Sequence, residues 1–79
     1  SSGDQGIDII GYSKDVKYGI QCKFYSKPVG NRAVQEAFAG KQFYKCHVAV
    51  VLTNNTFTKS AIEPSPVRAL ALYCGMAML

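Results

Sequence analysis

The chain has no CxxC pair: its three cysteines, Cys22, Cys46 and Cys74, are widely spaced and odd in number. That excludes the usual zinc spacings and a closed disulfide framework. Reduced thiols in a cytoplasmic protein are the plain reading. No Walker pattern occurs, which excludes a phosphate-cradling nucleotide loop. The opening "SSGDQG" has neither a basic n-region nor an apolar h-region and is no signal peptide. The apolar tail "VRALALYCGMAML" is too short to span a bilayer and contains Arg68, so no membrane partner is expected. Repeats and low-complexity tracts are missing as well. The single histidine, His47, begins an apolar run and reads as a helix–strand junction or packing residue rather than a ligand or general base.

Acids are scarce: five Asp and Glu stand against nine Lys and Arg, a formal net charge of +4. This favours an anionic partner without naming one. Seventy-nine residues make one domain at most, and a chain of this size buries only roughly 60% of its unfolded surface. A hydrophobic content of 48% supplies a packed core and excludes disorder.

"GIDIIGY" predicts a short strand, "SKDV" a turn and "KYGIQCKFY" a second strand, together a hairpin over residues 7–25. Pro28 and Gly30 break the pattern in "SKPVGN", and Asn31 is the expected N-cap of a helix from Arg32 to about Lys45. Val34, Ala37, Phe38, Lys41 and Tyr44 recur there at helical spacing. "HVAVVLT" reads as a strand covered on both faces. "FTKSAIE" starts a helix that Pro64 and Pro66 must end, and "RALALYC" is read as a last strand. The expected order is β-β-α-β-α-β, an α/β fold with a mixed central sheet flanked by helices.

Polar residues interrupt the hairpin. Gln21 and Lys23 are two apart and project from one strand face. A turn centred between residues 14 and 15 sets Asp8 almost opposite Gln21. If all three share a face they converge. A carboxylate, the Gln21 amide oxygen and the Cys22 backbone carbonyl are hard donors suited to Mg²⁺, and a lysine beside the cation could orient a water or stabilise a pentacovalent phosphorus. Spacing by itself leaves open that the three decorate a solvated face.

"SGDQGIDIIG", "IQCKFYSKPVGNRAVQE" and "VVLTNNTFTKSAIE", in this order, resemble the Mrr-type restriction endonuclease domain, a QxK branch of the PD-(D/E)xK nucleases. The resemblance spans roughly residues 2–63. It implies the restriction-endonuclease-like fold, with Asp8 as the metal-binding acid, Gln21 as the second metal position and Lys23 as the catalytic lysine. It further implies DNA hydrolysis with Mg²⁺, Mn²⁺ being able to stand in, on double-stranded or branched DNA. The expected activity is restriction cleavage, with modified DNA a target to consider. A Holliday-junction-resolvase-like nuclease and a catalytically silent DNA-binding or assembly module are the alternatives.

Gln35 matches a helix glutamine near such sites. Thr53, Asn54 and Thr58 fall in a flanking segment, where they touch phosphate or cap the next helix. Lys27, Arg32, Lys41 and Lys59 are candidate phosphate contacts, whereas Glu36 reads as a solvated charge. Asp4 is a loop former or a support for the site, and Gly3 and Gly6 permit unusual backbone angles. Tyr12, Tyr18, Tyr25, Tyr44 and Tyr73 read as packing residues with wet tips. The family carries a helix ahead of the "SGDQGID" loop, where this chain begins. Residues 1–79 are therefore expected to be one catalytic core, a piece of a larger domain whose separate recognition domain selects targets, with a homodimer for double-strand cutting.

Overall fold

A computed structural model describes residues 6–63 and the backbone of Leu70–Cys74. The expectations for Gly3, Asp4, Pro64, Pro66 and the Tyr73 side chain fall outside the described residues. The elements are β1 (Ile9–Ser13), β2 (Val16–Lys23), α1 (Asn31–Phe43), β3 (Val48–Thr53), α2 (Lys59–Ile62) and β4 (Leu70–Cys74). This is the β-β-α-β-α-β order of the α/β, restriction-endonuclease-like fold that the sequence predicts.

The four strands form one sheet in the order β1-β2-β3-β4. β1 and β2 are antiparallel, while β2, β3 and β4 run parallel. The hairpin register runs from Ile9 opposite Ile20 to Ser13 opposite Val16, as expected from a turn at Lys14 and Asp15. Both turn residues have positive φ, 50° and 67°. A two-residue turn of this kind matches the right-handed twist of the strands it joins.

α1 connects the parallel strands β2 and β3 and packs on both. Ala33, Val34, Ala37 and Gly40 form its buried stripe. Val29, Ala33 and Ala37 meet Ala49 and Val51 of β3 to make the core, with Phe57 packed against it. Full burial of a valine is worth roughly 1.5–3 kcal/mol, so Val29, Val34 and Val51 are the main apolar anchors on this side. Gly19 lies under the same layer, where a side chain would press on Cys46 Sγ and Ile7.

Several boundaries differ from expectation. Gly30, not Asn31, caps α1; it is extended and gives no side-chain hydrogen bond. Asp8 precedes β1 instead of lying within it. Tyr12 is 72% exposed on the edge strand and packs little. His47 is a junction residue: its N–H donates to the Lys17 carbonyl at 2.7 Å, and its Nδ1 accepts from the Lys17 N–H at 2.8 Å. The ring thus extends the β2–β3 pairing by one position.

Because Lys14 and Asp15 both hold positive φ, an Asn-Gly pair suits the turn better than Lys-Asp. The double substitution Lys14→Asn/Asp15→Gly is expected to stabilise the protein by about 1 kcal/mol, read as a higher urea midpoint with unchanged slope.

Candidate active site

Alternation along β2 places Gly19, Gln21 and Lys23 on the face that α1 covers, in register with Ala49, Val51 and Thr53 of β3. Gln21 is only 6% exposed, and its Oε1 is buried with no hydrogen-bond partner. An unmet buried acceptor costs about 1–3 kcal/mol, so this atom asks for a ligand. Two positions on, the Lys23 ammonium donates to Glu36 Oε1 at 3.2 Å and lies 5.6 Å from the Tyr25 ring centroid. The other Glu36 oxygen is 3.4 Å from Arg32 Nε, one helical turn back.

Asp8 meets β2 at its edge. Its backbone N–H donates to the Ile20 carbonyl at 2.8 Å, and its Oδ2 accepts from the Cys22 N–H, also at 2.8 Å. The carboxylate thus takes the place a strand carbonyl would fill had β1 begun earlier. In extended backbone one residue's N–H and C=O project to the same strand edge, so the Cys22 carbonyl is directed to the Asp8 side. Burial, and then the Asp8 charge, push the Cys22 thiol above its ordinary value. It stays protonated at neutral pH, which leaves the carbonyl as the donor at this residue.

The three polar residues of the hairpin are therefore partly brought together. Gln21 and Lys23 share a face, and Asp8 meets the strand at the residue between them. No hydrogen bond or ion pair joins Asp8 to either among the described residues. Gly6 ties the same loop to α1: it has φ +79°, and a Cβ there would stand 2.5 Å from the Glu36 carbonyl oxygen. Only glycine accommodates both that angle and that approach.

Glu36 is the residue that sequence reasoning misjudged. It is no free solvated charge but the partner of Lys23 and Arg32. Its neighbour Gln35 is exposed. The signal was present, since Glu36 lies three positions after Ala33 and four before Gly40, both buried, and such positions share a helix face. In the flanking segment Thr53 is fully buried beside Lys23, and its Oγ1 accepts from the Asn55 N–H at 3.1 Å. Asn54 is exposed; Asn55 instead donates through Nδ2 to the Tyr25 carbonyl at 3.2 Å. Thr58 caps α2, its side chain accepting from the Ala61 N–H at 3.3 Å.

Lys23, Tyr25, Lys27, Arg32 and Glu36 line an open cleft of about 480 Å³. Lys41 and Lys59 do not line it: Lys41 Nζ lies 5.2 Å from the Phe38 ring centroid and Lys59 begins α2.

Among the described residues no cluster of three His, Cys, Asp or Glu side chains suits a metal ion. The oxygens at the hairpin mouth do suit a hard one: one carboxylate, one backbone carbonyl and the orphaned amide oxygen of Gln21. No helix of the described residues is long and apolar enough to cross a membrane.

The family model Mrr_cat, described as restriction endonuclease, matches residues 1–76. No curated protein and no solved structure matches the chain.

Burial pushes the Glu36 carboxyl up, but the hydrogen bond and charge of Lys23, with Arg32, outweigh it and hold the group below its ordinary value of 4.5. Burial likewise pushes the Lys23 ammonium down, and its bonds to Tyr25 and Glu36 reverse this, leaving it above 10.5. The stability from the lowered carboxyl is therefore complete above pH 4.5 and is lost as pH falls through the folded value. That from the raised ammonium is complete below 10.5 and lost only as pH rises through its folded value. Glu36→Gln is expected to lower the melting temperature at pH 7. With the carboxylate 40% exposed, the loss should be at most about 1 kcal/mol. The gap from the parent should close as pH is taken below 4.5.

Proposed function

The chain belongs to the Mrr-type restriction endonuclease family, and from that premise we propose that it is the catalytic core of a Mg²⁺-dependent DNA endonuclease. Asp8, the Gln21 amide oxygen and the Cys22 carbonyl would hold the metal, and Lys23 would act on the phosphodiester. The observation that carries this reading is Gln21 Oε1, buried and without a partner two residues from Lys23. A chain with no use for that acceptor gains by replacing it with a hydrocarbon.

When bound, Mg²⁺ supplies an activated water and offsets charge building on the phosphodiester. The protein's own groups do the rest. Asp8 gives the site its negative charge, and its bond to the Cys22 N–H holds the carboxylate at the strand edge. Lys23, fixed by Glu36 at 3.2 Å, places a positive charge for the oxygens of a pentacovalent phosphorus, the electrostatic role that suits an anchored ammonium. Choice of target, including any preference for modified DNA, falls to a separate recognition domain. Cutting of both strands uses two copies about a two-fold axis.

Cleavage of a DNA duplex across a Mg²⁺ titration, repeated with Mn²⁺, tests the assignment. Lys23→Ala is expected to cut at least about 100-fold more slowly while binding DNA nearly as well as the parent. A variant that cuts as fast as the parent shows the assignment to be wrong. DNA binding with no metal-stimulated cutting in the parent identifies a silent binding module instead.

Gln21→Met supplies an independent check. Removing an unmet acceptor is expected to raise stability by about 1 kcal/mol while shifting the Mg²⁺ midpoint for cleavage upward. A stability loss with unchanged metal dependence would show that Gln21 is structural.

A further inference from the structure

Beside the hairpin mouth lies the cleft of about 480 Å³ lined by Lys23, Tyr25, Lys27, Arg32 and Glu36. Three cations and one carboxylate leave it two positive charges in surplus. They are not equally committed: Glu36 engages Lys23 at 3.2 Å and Arg32 at 3.4 Å, whereas Lys27 has no ion-pair partner among the described residues. Arg32 is 92% exposed, so its guanidinium keeps donors turned to solvent. The scaffold behind these groups is fixed. Val29 N–H donates to the Thr56 carbonyl at 2.8 Å and its carbonyl accepts from Thr58 N–H at 2.9 Å, which pins the loop bearing Lys27 to the segment between β3 and α2. Asn55 holds the Tyr25 carbonyl in the same way.

We infer that this cleft is a second phosphate site, taking a backbone phosphate of the DNA outside the bond that is cut. Lys27 and Arg32 are its donors, and Glu36 is the anion that the phosphate replaces on Arg32. The ligand class follows from the chemistry. A phosphodiester carries one negative charge, which the surplus accommodates. An arginine fork with a lysine beside it is the donor pair that phosphate oxygens accept. Lys23 lies at the boundary, lining the cleft while sharing a strand face with Gln21. A phosphate held in the cleft therefore fixes where the next stretch of backbone passes the Asp8–Gln21 oxygens. Contacts of this kind set register and carry no base specificity. The inference rests on the nuclease reading for its substrate.

Binding of a short fluorescent DNA duplex in EDTA over a salt series tests it, using the whole chain. The variants are Lys27→Gln/Arg32→Gln, a charge-matched control Lys14→Gln/Lys45→Gln, and Glu36→Gln. The control removes the same charge at the hairpin turn and the end of α1, about 20 Å along β2 from Lys23. The cleft variant is expected to bind about tenfold more weakly, with a slope of log K against log salt shallower by about one unit. The control should keep the parent slope, and Glu36→Gln should bind several-fold more tightly because the competing carboxylate is gone. Equal slopes in the cleft and control variants would overturn the site. So would weaker binding by Glu36→Gln in a protein that still melts cooperatively. Mg²⁺-dependent cutting by the parent, measured alongside, reports on the nuclease reading alone. A parent that does not cut but shows the slope change keeps the phosphate site and loses the nuclease.

Discussion

Small residues at the helix–sheet contact are the constraint on which the rest of the structure depends. Gly19 of β2 leaves room for Cys46 and Ile7, and Ala33 and Ala37 on α1 meet Ala49 of β3. With little side chain between them, helix and sheet approach closely. Close-packed interiors transmit such spacing to whatever lies beside them. One consequence is that Glu36, on the buried edge of α1, reaches Lys23 on β2. Another is that Gly6 must be glycine where its loop passes the Glu36 carbonyl. The loop bearing Asp8, the strand bearing Gln21 and Lys23, and the helix bearing Glu36 are held together through one contact layer.

Polar groups under that layer are costly unless they are matched. Lys23 is matched by Glu36, whereas Gln21 Oε1 is not matched; Asp8, exposed at the strand edge, holds the Cys22 N–H. In a chain of 79 residues stability is modest, and a deficit of about 1–3 kcal/mol at one buried acceptor is a sizeable fraction of it. Functional sites are where such deficits persist. The restriction endonuclease family accounts for the chain's architecture and its nuclease character. The hairpin mouth is where that chemistry would fall if the orphaned oxygen is used.

Charge is divided between two neighbouring places. At the mouth of the hairpin oxygen donors dominate, which suits a cation. Along the cleft lysine and arginine dominate, which suits a phosphate. Lys23 belongs to both, since it lines the cleft and shares a strand face with Gln21. Long side chains such as Arg32 remain largely in solvent, so their attraction for a polyanion is strong at low salt and falls as salt screens it.

Much of this was legible in the amino-acid order, for local reasons. The turn at "SKDV" and the two-residue period of strands are enough to set Ile9 opposite Ile20 and to put Gln21 and Lys23 on one face. Apolar spacing located α1, and the continuous run "HVAVVLT" located β3. What no local pattern could decide was how α1 is rotated and how near it lies to the sheet. The sequence pointed to Gln35 and read Glu36 as a solvated charge, whereas packing sets Glu36 against Lys23. The place of Asp8 was likewise decided by the whole hairpin: β1 begins at Ile9, two residues after the expected start at Ile7, and the carboxylate turns to a backbone N–H left free at the edge of β2. Strand period and turn chemistry act over a few residues and can be read in a line. The partners of a buried charge depend on which surfaces meet, and that exists only once the chain has folded.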